Sequence, residues 1–513
     1  QRKRPRSFEE RAVVTGGPVR RSQRNVGGGG GGGLTTISGD GDVDNAVQGK
    51  QRQVEEEELC YDDSSVHRYV CNVMAATTTA TTTAAIAPSP PSSTNSAIQG
   101  FQRLPGILYD PALARAYSLD YHQPSGLVAA AGKDGRVAIW GTHAAVDTAT
   151  PSLKMNDRDY DNGDDNDDNE LEIEPLLSYK LHKGWISDVQ LWQNASTSLS
   201  SDDGDNDGTA TTNTNSNSMF LLSAGNDGIV CLWDITKTAT KASLGLPQCL
   251  IKSEDLHGGC GVFSMHTAGQ NRVLTGSKDC SVVLSTFDDN TLGKLPTTSH
   301  GSTKSSTFSV VQKYEDLHDG CVVKCVRWKP SYSTGSASES DAIVFASCGN
   351  DRAIRIVDTR VQQNSGSSSG SLVLEGEHST AINHIRWSPI SEYLLLSASH
   401  DPNLLLHDLR KPNTALFNYT GHSPPGKRIT SIYQPVFVAG GTAIAAAGQL
   451  SLSNQLSLYS VVDGKTISRG EVDIGSIGAT YCSGGGGGSV GAPLFCSSNR
   501  CVAMFTPQWK EAI

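Results

Sequence analysis

Phe220–Ile235 reads FLLSAGNDGIVCLWDI. An apolar run gives way to small residues, turns at Asn226-Asp227-Gly228, and resumes as a β-rich run that closes on Trp233-Asp234. Two such runs around a turn with glycine where positive φ is needed specify a β-hairpin. The pattern recurs. LVAAAGKDGRVAIW ends at Trp140 and RVLTGSKDCSVVLS at Ser285, while VFASCGNDRAIRIVD puts Val357, and LLLSASHDPNLLLHD puts His407, in the tryptophan place. Six positions separate the turn aspartate of each copy (Asp134, Asp227, Asp279, Asp351, Asp401) from its closing residue. Two looser copies end the chain. One closes on Tyr459; the other, LFCSSNRCVAMF, has Asn499 in the aspartate place and Phe505 at the end.

A repeat of this kind governs every local reading. The seven copies resemble the WD-repeat family of β-propellers, from about Leu104 to the C-terminus. The fold expected is therefore all-β: a seven-bladed WD-repeat β-propeller over 104–513, behind a disordered arm over 1–103. His182, His257, His318, His378 and His422 precede their copies where the family keeps a Gly-His pair, although only His422 follows a glycine. In the family this histidine, a Ser or Thr and the turn aspartate hydrogen-bond to the tryptophan. Ser223, Thr275, Ser347 and Ser397 each lie four residues before their aspartates. The resemblance thus implies structural roles for Asp134, Trp140, Asp227, Trp233, Asp279, Asp351 and Asp401 and for the histidines. It also implies looser blades at Ser285, Val357 and His407.

Net charge −11 and 37% apolar residues fit a soluble protein with much polar filler. No apolar run approaches the ~18 residues of a membrane helix. Twelve cysteines occur without a C-x-x-C pair. Cys231, Cys321, Cys325 and Cys348 fall on expected strands and read as small buried apolar residues of a reducing compartment. The arm opens on QRKRPRSFEERAVVTGGPVRRSQRN, continues through a glycine run at Gly27–Gly33, and ends in ATTTATTTAAIAPSPPSSTNS. Such composition cannot bury enough surface to offset chain entropy. Its clusters Arg2-Lys3-Arg4 and Arg20-Arg21 have the form of a bipartite nuclear import signal or of a solvated basic tail. The expected location is nuclear, cytoplasmic or both. The acidic body argues against a sequence-specific nucleic-acid domain.

Seven repeats of ~43 residues need about 300 residues, and the excess of about 110 appears as low-complexity inserts. They fall near 145–174, 194–218, 290–307, 331–340, 362–371 and 483–491, all between the first and second or the third and fourth strands of a repeat. Those loops share one face of a propeller. Only TPQWKEAI follows Phe505, so Gly106–Asp110 is the candidate outer strand of the last blade, closing the ring and hiding its edges.

Few motifs suggest chemistry. Asp203-x-Asp205-x-Asp207-Gly208 copies half of a calcium loop but has Thr214 where a bidentate Glu is required. Gly366-Ser-Ser-Ser-Gly370 matches a nucleophile elbow without the helix that follows one. The periodic histidines read as structural rather than as acid–base groups. Neither an enzyme activity nor a cofactor is expected, and the partners expected are proteins. The sharpest functional signal is Asp358-Thr359-Arg360 and Asp408-Leu409-Arg410, which close successive copies fifty residues apart. They resemble the box ending in Trp-Asp-x-Arg of cullin-4 ubiquitin ligase substrate receptors. That resemblance implies docking of Arg360 and Arg410 on the damaged-DNA-binding-protein adaptor. The alternative is a WD scaffold of a chromatin, ribosome-assembly or trafficking complex, with the arginines in surface salt bridges.

Overall fold

The computed structural model describes residues 97–142, 171–194, 218–236, 246–268, 271–287, 307–332, 343–361, 371–422, 434–450, 453–471, 481–484, 491–497 and 500–510. The basic arm clusters, the calcium-like loop, the Gly366–Gly370 stretch and most of each insert lie outside these residues.

The described chain begins with β1 (Ile98–Tyr109) and then lays down one antiparallel sheet after another. Blade one is β2 (Ala116–His122), β3 (Leu127–Gly132), β4 (Arg136–Gly141) and, after the short β5 (Glu172–Ile173), β6 (Leu177–Lys180). Blade two is β7 (Ile186–Asn194), β8 (Ser218–Gly225), β9 (Val230–Asp234) and β10 (Gln248–Ser253). Blade three is β11 (Val262–Ala268), β12 (Arg272–Ser277), β13 (Val282–Thr286) and β14 (Ser309–Tyr314). Blade four is β15 (Val323–Trp328), β16 (Val344–Gly349), β17 (Ile354–Asp358) and β18 (Ser371–Leu374). Blade five is β19 (Ile382–Trp387), β20 (Leu394–Ser399), β21 (Leu404–Asp408) and β22 (Ala415–Tyr419). Blade six is β23 (Val436–Val438), β24 (Ala443–Leu450), β25 (Ser453–Ser460) and β26 (Thr466–Glu471). Blade seven is β27 (Tyr481–Gly484), β28 (Leu494–Ser497), β29 (Cys501–Trp509) and β1. The molecule is a seven-bladed all-β propeller. Among the described residues no helix is long and apolar enough to cross a membrane.

The second and third strands of each blade are buried on both faces, because each sheet is stacked between two others. Hence β3, β20 and β16 are near-continuous runs of buried residues, whereas the outer β14 exposes Val310 and Val311. The apolar core is correspondingly divided into seven clusters, one at each junction of neighbouring blades. Phe220, Leu222 and Leu232 of blade two meet Met265, Val273 and Val283 of blade three. Leu274 and Leu284 meet Val326, Trp328 and Phe345 at the next junction. The ring closes through the same kind of contact: Phe495, Val502 and Met504 of blade seven pack with Val128, Ala130 and Trp140 of blade one.

The closing strand is longer than expected. β1 starts at Ile98, ahead of the boundary at 104, and pairs antiparallel with β29 from Ile98↔Trp509 to Tyr109↔Cys501. The register shifts between Arg103 and Ile107, where Gly106 takes φ +98°. A side chain there would be strained and would also crowd the Leu171 carbonyl at 3.3 Å. The outer edge of β1 is itself covered, since Ile107 and Leu108 pair parallel with Glu172 and Ile173 of β5. Asp110 fixes the exit: its backbone N–H donates to the Arg500 carbonyl and its carboxylate accepts from Ser178 Oγ at 2.6 Å. One reading needs correction. Cys321 is half-buried in the loop before β15, not on a strand; Cys231, Cys325 and Cys348 are buried strand residues.

Candidate functional site

Three groups of residues carry the polar chemistry of the ring. The first is the repeated histidine set. In blade two His182 Nδ1 meets Asp227 Oδ1 at 3.0 Å, its Nε2 meets Ser223 Oγ at 2.8 Å, and Trp233 Nε1 donates to the same Oγ at 2.9 Å. Burial alone would raise the Asp227 pKa, but the bonds and charge of His182 outweigh it and hold the carboxyl below its ordinary range. Blade three repeats the chain with His257, Asp279 (3.0 Å) and Thr275 (2.8 Å), and Asp279 is held down at about 2 by the same balance. Blade four uses His318, Asp351 (2.8 Å) and Ser347 (2.8 Å). Blade five uses His378, Asp401 (3.2 Å) and Ser397 (2.8 Å).

His407 was expected to loosen blade five. Instead its Nε2 lies 2.8 Å from Ser397 Oγ, so the imidazole supplies the bond that a tryptophan indole makes in blade two. Val357 of blade four is fully buried apolar packing, and Ser285 of blade three bonds the Val273 carbonyl at 3.4 Å. Blade one is tied differently. Asp134 turns to its own loop and accepts the Arg136 N–H, and Trp140 Nε1 donates to the Ile173 carbonyl at 3.1 Å. In blade six His422 Nδ1 meets the Tyr459 hydroxyl at 3.2 Å. In blades two to five both ring nitrogens of the histidine are bonded to side chains of the same blade.

The second group is the arginine pair. Both arginines follow the third strand of their blade, in neighbouring blades. Arg360 forks onto Asp358, Nε to Oδ1 at 3.0 Å and Nη2 to Oδ2 at 2.6 Å, with its side chain 68% exposed. Arg410 makes the same fork onto Asp408, at 2.9 and 2.7 Å, but there the aspartate is buried and the guanidinium also lies over the Tyr393 ring at 4.9 Å. One arginine is thus free to reach outward and the other is clamped on two sides.

The third group escaped the sequence reading. The inner strands β2, β7, β11, β15 and β19 line a central channel, with Asp120, Gln190, His266, Arg327 and Arg386 among the lining residues. An inner strand has one edge with no sheet partner, and its N–H groups need acceptors. Side chains of the preceding blade provide them. Ser118 Oγ accepts Val189 N–H, and Asp120 accepts Leu191 N–H at 2.7 Å. Asp188 accepts Met265 N–H, and Gln190 accepts Thr267 N–H, both at 3.0 Å. Ser264 Oγ accepts Val326 N–H, and His266 Nδ1 accepts Trp328 N–H at 3.1 Å. Arg327 Nη1 returns to Asp188 (3.2 Å), Ser264 (2.8 Å) and the Met265 carbonyl (3.2 Å). Burial lifts Asp120 to about 6, against the pull of the Leu191 N–H and Arg386. Burial, aided by the charges of Arg327 and Arg386, pushes His266 down to about 3. A sequence signal existed: YSLDYH, ISDVQLW, VFSMHTA, VKCVRW and INHIRW each place polar residues at alternate positions of an otherwise apolar strand.

The channel opens through two cavities. One of about 80 Å³ lies at the starts of the inner strands, ringed by Tyr117, Trp185, Phe263 and Lys324. The other, about 670 Å³, lies at their ends, beside Trp192, Trp328 and Trp387.

Comparison with known proteins gives a consistent picture. Residues 209–234 match the family described as WD domain, G-beta repeat. Histone acetyltransferase type B subunit 2 of Kluyveromyces lactis is 28% identical over 34% of the chain and 36% of its own length. Ribosome biogenesis protein WDR12 homolog of Culex quinquefasciatus is 25% identical over 29% of the chain and 31% of its own. Protein sof1 of Schizosaccharomyces pombe is 24% identical over 39% and 44%. The chain thus spans less than half the length of each of these relatives. The solved structure of Chaetomium thermophilum Raptor superposes with TM-score 0.53 at 11% identity, over 80% of this chain and 30% of that one, which is a likeness of fold.

Proposed function

We propose that this propeller, whose matched repeat and relatives support a place among WD-repeat proteins, is a non-catalytic scaffold that holds proteins together. The observation that carries the reading is the commitment of its recurrent histidines to buried bonds with Asp227, Asp279, Asp351 and Asp401. Groups consumed in this way stiffen the blades and are not available as acids or bases. A rigid ring with loops at both ends presents binding surfaces at little conformational cost. The names of the relatives favour an assembly concerned with chromatin or with ribosome biogenesis, and a nuclear or cytoplasmic location. Affinity purification followed by mass spectrometry tests this. Stable co-purification of chromatin or ribosome-assembly subunits is expected; a chain that purifies alone from cells speaks against a scaffold.

A second reading, substrate receptor of a cullin-4 ubiquitin ligase, rests on Arg360. Its exposed fork at the end of β17 could exchange Asp358 for a partner carboxylate or carbonyl. Arg410 supports this less well, because leaving Asp408 would strand a buried carboxylate. Capture of the damaged-DNA-binding-protein adaptor by wild type, lost in an Arg360→Ala/Arg410→Ala double variant of unchanged stability, would favour the receptor. Equal capture by both, or none, assigns the arginines to surface ion pairing.

A further inference from the structure

The capping rule of the channel stops at one place. In blades two, three and four, each inner strand is served by acceptors from the blade before it. Arg327 and Arg386 occupy the same register position in β15 and β19, paired with Ala346 and Leu396. A guanidinium has five donors and no acceptor, so neither can cap the next strand. Arg327 solves this by turning back to Asp188 and Ser264. Arg386 has no such neighbour. The next inner strand, β23, is three residues long, follows Pro435 and presents Val436 and Phe437. Among the described residues Arg386 makes no hydrogen bond and no ion pair. Burial and Arg327 oppose its charge, which is answered at longer range by Asp120, Cys325 and Asp188. Asp188 is already spent on Ser118, Ser264, Met265 and Arg327.

A second donor faces the same space. Trp328 N–H occupies His266 Nδ1, so the neutral ring carries its proton on Nε2. His266 and Arg386 both line the 670 Å³ cavity. That volume lies within the range of small-molecule sites. A half-buried guanidinium without an ion pair and a fixed imidazole N–H thus present their donors to one polar cavity, where an acceptor-rich group can meet both.

We propose that the wide mouth of the central channel is a binding site for a small organic or inorganic polyanion, carboxylate or phosphate in chemistry, held by Arg386 and His266. Arg386 supplies the charge and the forked donors, and His266 adds a neutral N–H fixed by Trp328. Asp120, which lines the same cavity, disfavours simple crowding by any anion and favours one carrying a hydroxyl or protonated oxygen that can donate to it.

The test is titration of the full chain with inorganic pyrophosphate and with citrate in chloride buffer. Calorimetry reports the heat, and tryptophan fluorescence follows Trp192, Trp328 and Trp387 at the cavity wall. One-site binding by at least one probe is expected, with citrate preferred if the source is a carboxylate and pyrophosphate if it is a phosphate. Arg386→Gln should weaken it at least about tenfold, and Arg386→Lys should retain part of it. Lys465→Gln, on an exposed turn of blade six, should bind as wild type. An independent readout is the melting temperature without probe: Arg386→Met should raise it by a few degrees, because a half-buried guanidinium without an ion pair is removed. No binding at millimolar probe, unchanged binding by Arg386→Gln, or a lower melting temperature for Arg386→Met would each overturn the site.

Discussion

Blade two and blade seven reach the same shape by different means. In blade two a buried polar chain, Asp227–His182–Ser223–Trp233, ties the loop, the second strand and the third strand within one stretch of sequence. In blade seven Phe495 stands in the serine place and Phe505 in the tryptophan place, both buried, and the fourth strand is lent by residues 98–109. One blade is specified by hydrogen bonds that must all be present; the other by apolar volume and a partner from far away in the chain. Polar ties are legible and brittle, whereas apolar packing is tolerant locally and depends on a remote segment.

The comparison predicts where the ring breaks hardest. Removing residues 1–95 should leave thermal stability unchanged, whereas removing 1–112 strips β1 from β29 and should abolish soluble, cooperatively melting protein. If the two truncations melt alike, blade seven does not depend on its lent strand.

Next come single polar groups. Asp227→Ala should cost ~1–3 kcal/mol in a denaturant titration, because it leaves His182 without its partner. Ser497→Ala in blade seven should be neutral or gain up to ~1 kcal/mol, since among the described residues its buried Oγ has no hydrogen-bond partner. Similar losses at both positions would erase the distinction between the blades.

Acid should act on the polar blades selectively. Burial, with the nearby charge of His378, pushes His407 down to about 3, and burial with Arg469 pushes His422 to about 4. The unfolded chain then takes up these protons first, so stability is full above the ordinary histidine pKa of about 6.5 and is lost as pH falls toward 3. His266 adds to the loss in the same direction. Asp120 works the other way: raised to about 6, it is protonated first in the folded chain and adds stability between pH 6 and its ordinary 3.8. His407→Gln should flatten the decline of urea midpoint between pH 6.5 and 4.5, by up to ~1.4 kcal/mol per pH unit. An unchanged slope would mean that His407 titrates normally.

The smallest effects belong to the surface. Arg360→Ala should leave the denaturation midpoint unmoved, while Arg410→Ala should cost ~0.5–1 kcal/mol through Asp408 and the Tyr393 ring. A larger loss at Arg360 than at Arg410 would reverse their assignment as free and clamped.

The repeat made blades two to five readable, because Ser or Thr recurs four residues before each turn Asp and a His precedes each copy, and only one geometry joins them. His407 was read as a defect because sequence shows that tryptophan is missing, not that an imidazole nitrogen can stand where the indole nitrogen did. The start of β1 at Ile98 was missed because IQGFQRLPG has no apolar alternation; the partner strand, not local preference, makes it a strand. The channel was missed for a related reason. Its residues come from separate repeats, and each one alone is an ordinary polar residue on a strand.

The pairing of β1 with β29 also fixes an order in time. Roughly 390 residues lie between Tyr109 and Cys501, so at ribosomal speeds β1 emerges about 20 to 80 s before its partner exists. During that interval its N–H and C=O groups and the apolar faces of Ile107 and Leu108 have no sheet to join. β5 can cover one edge early, through Ile107 and Leu108, but the other must wait for β29. A nascent chain of this kind carries an adhesive edge until β29 is made, and its yield in a cell is set by what shields that edge over the interval.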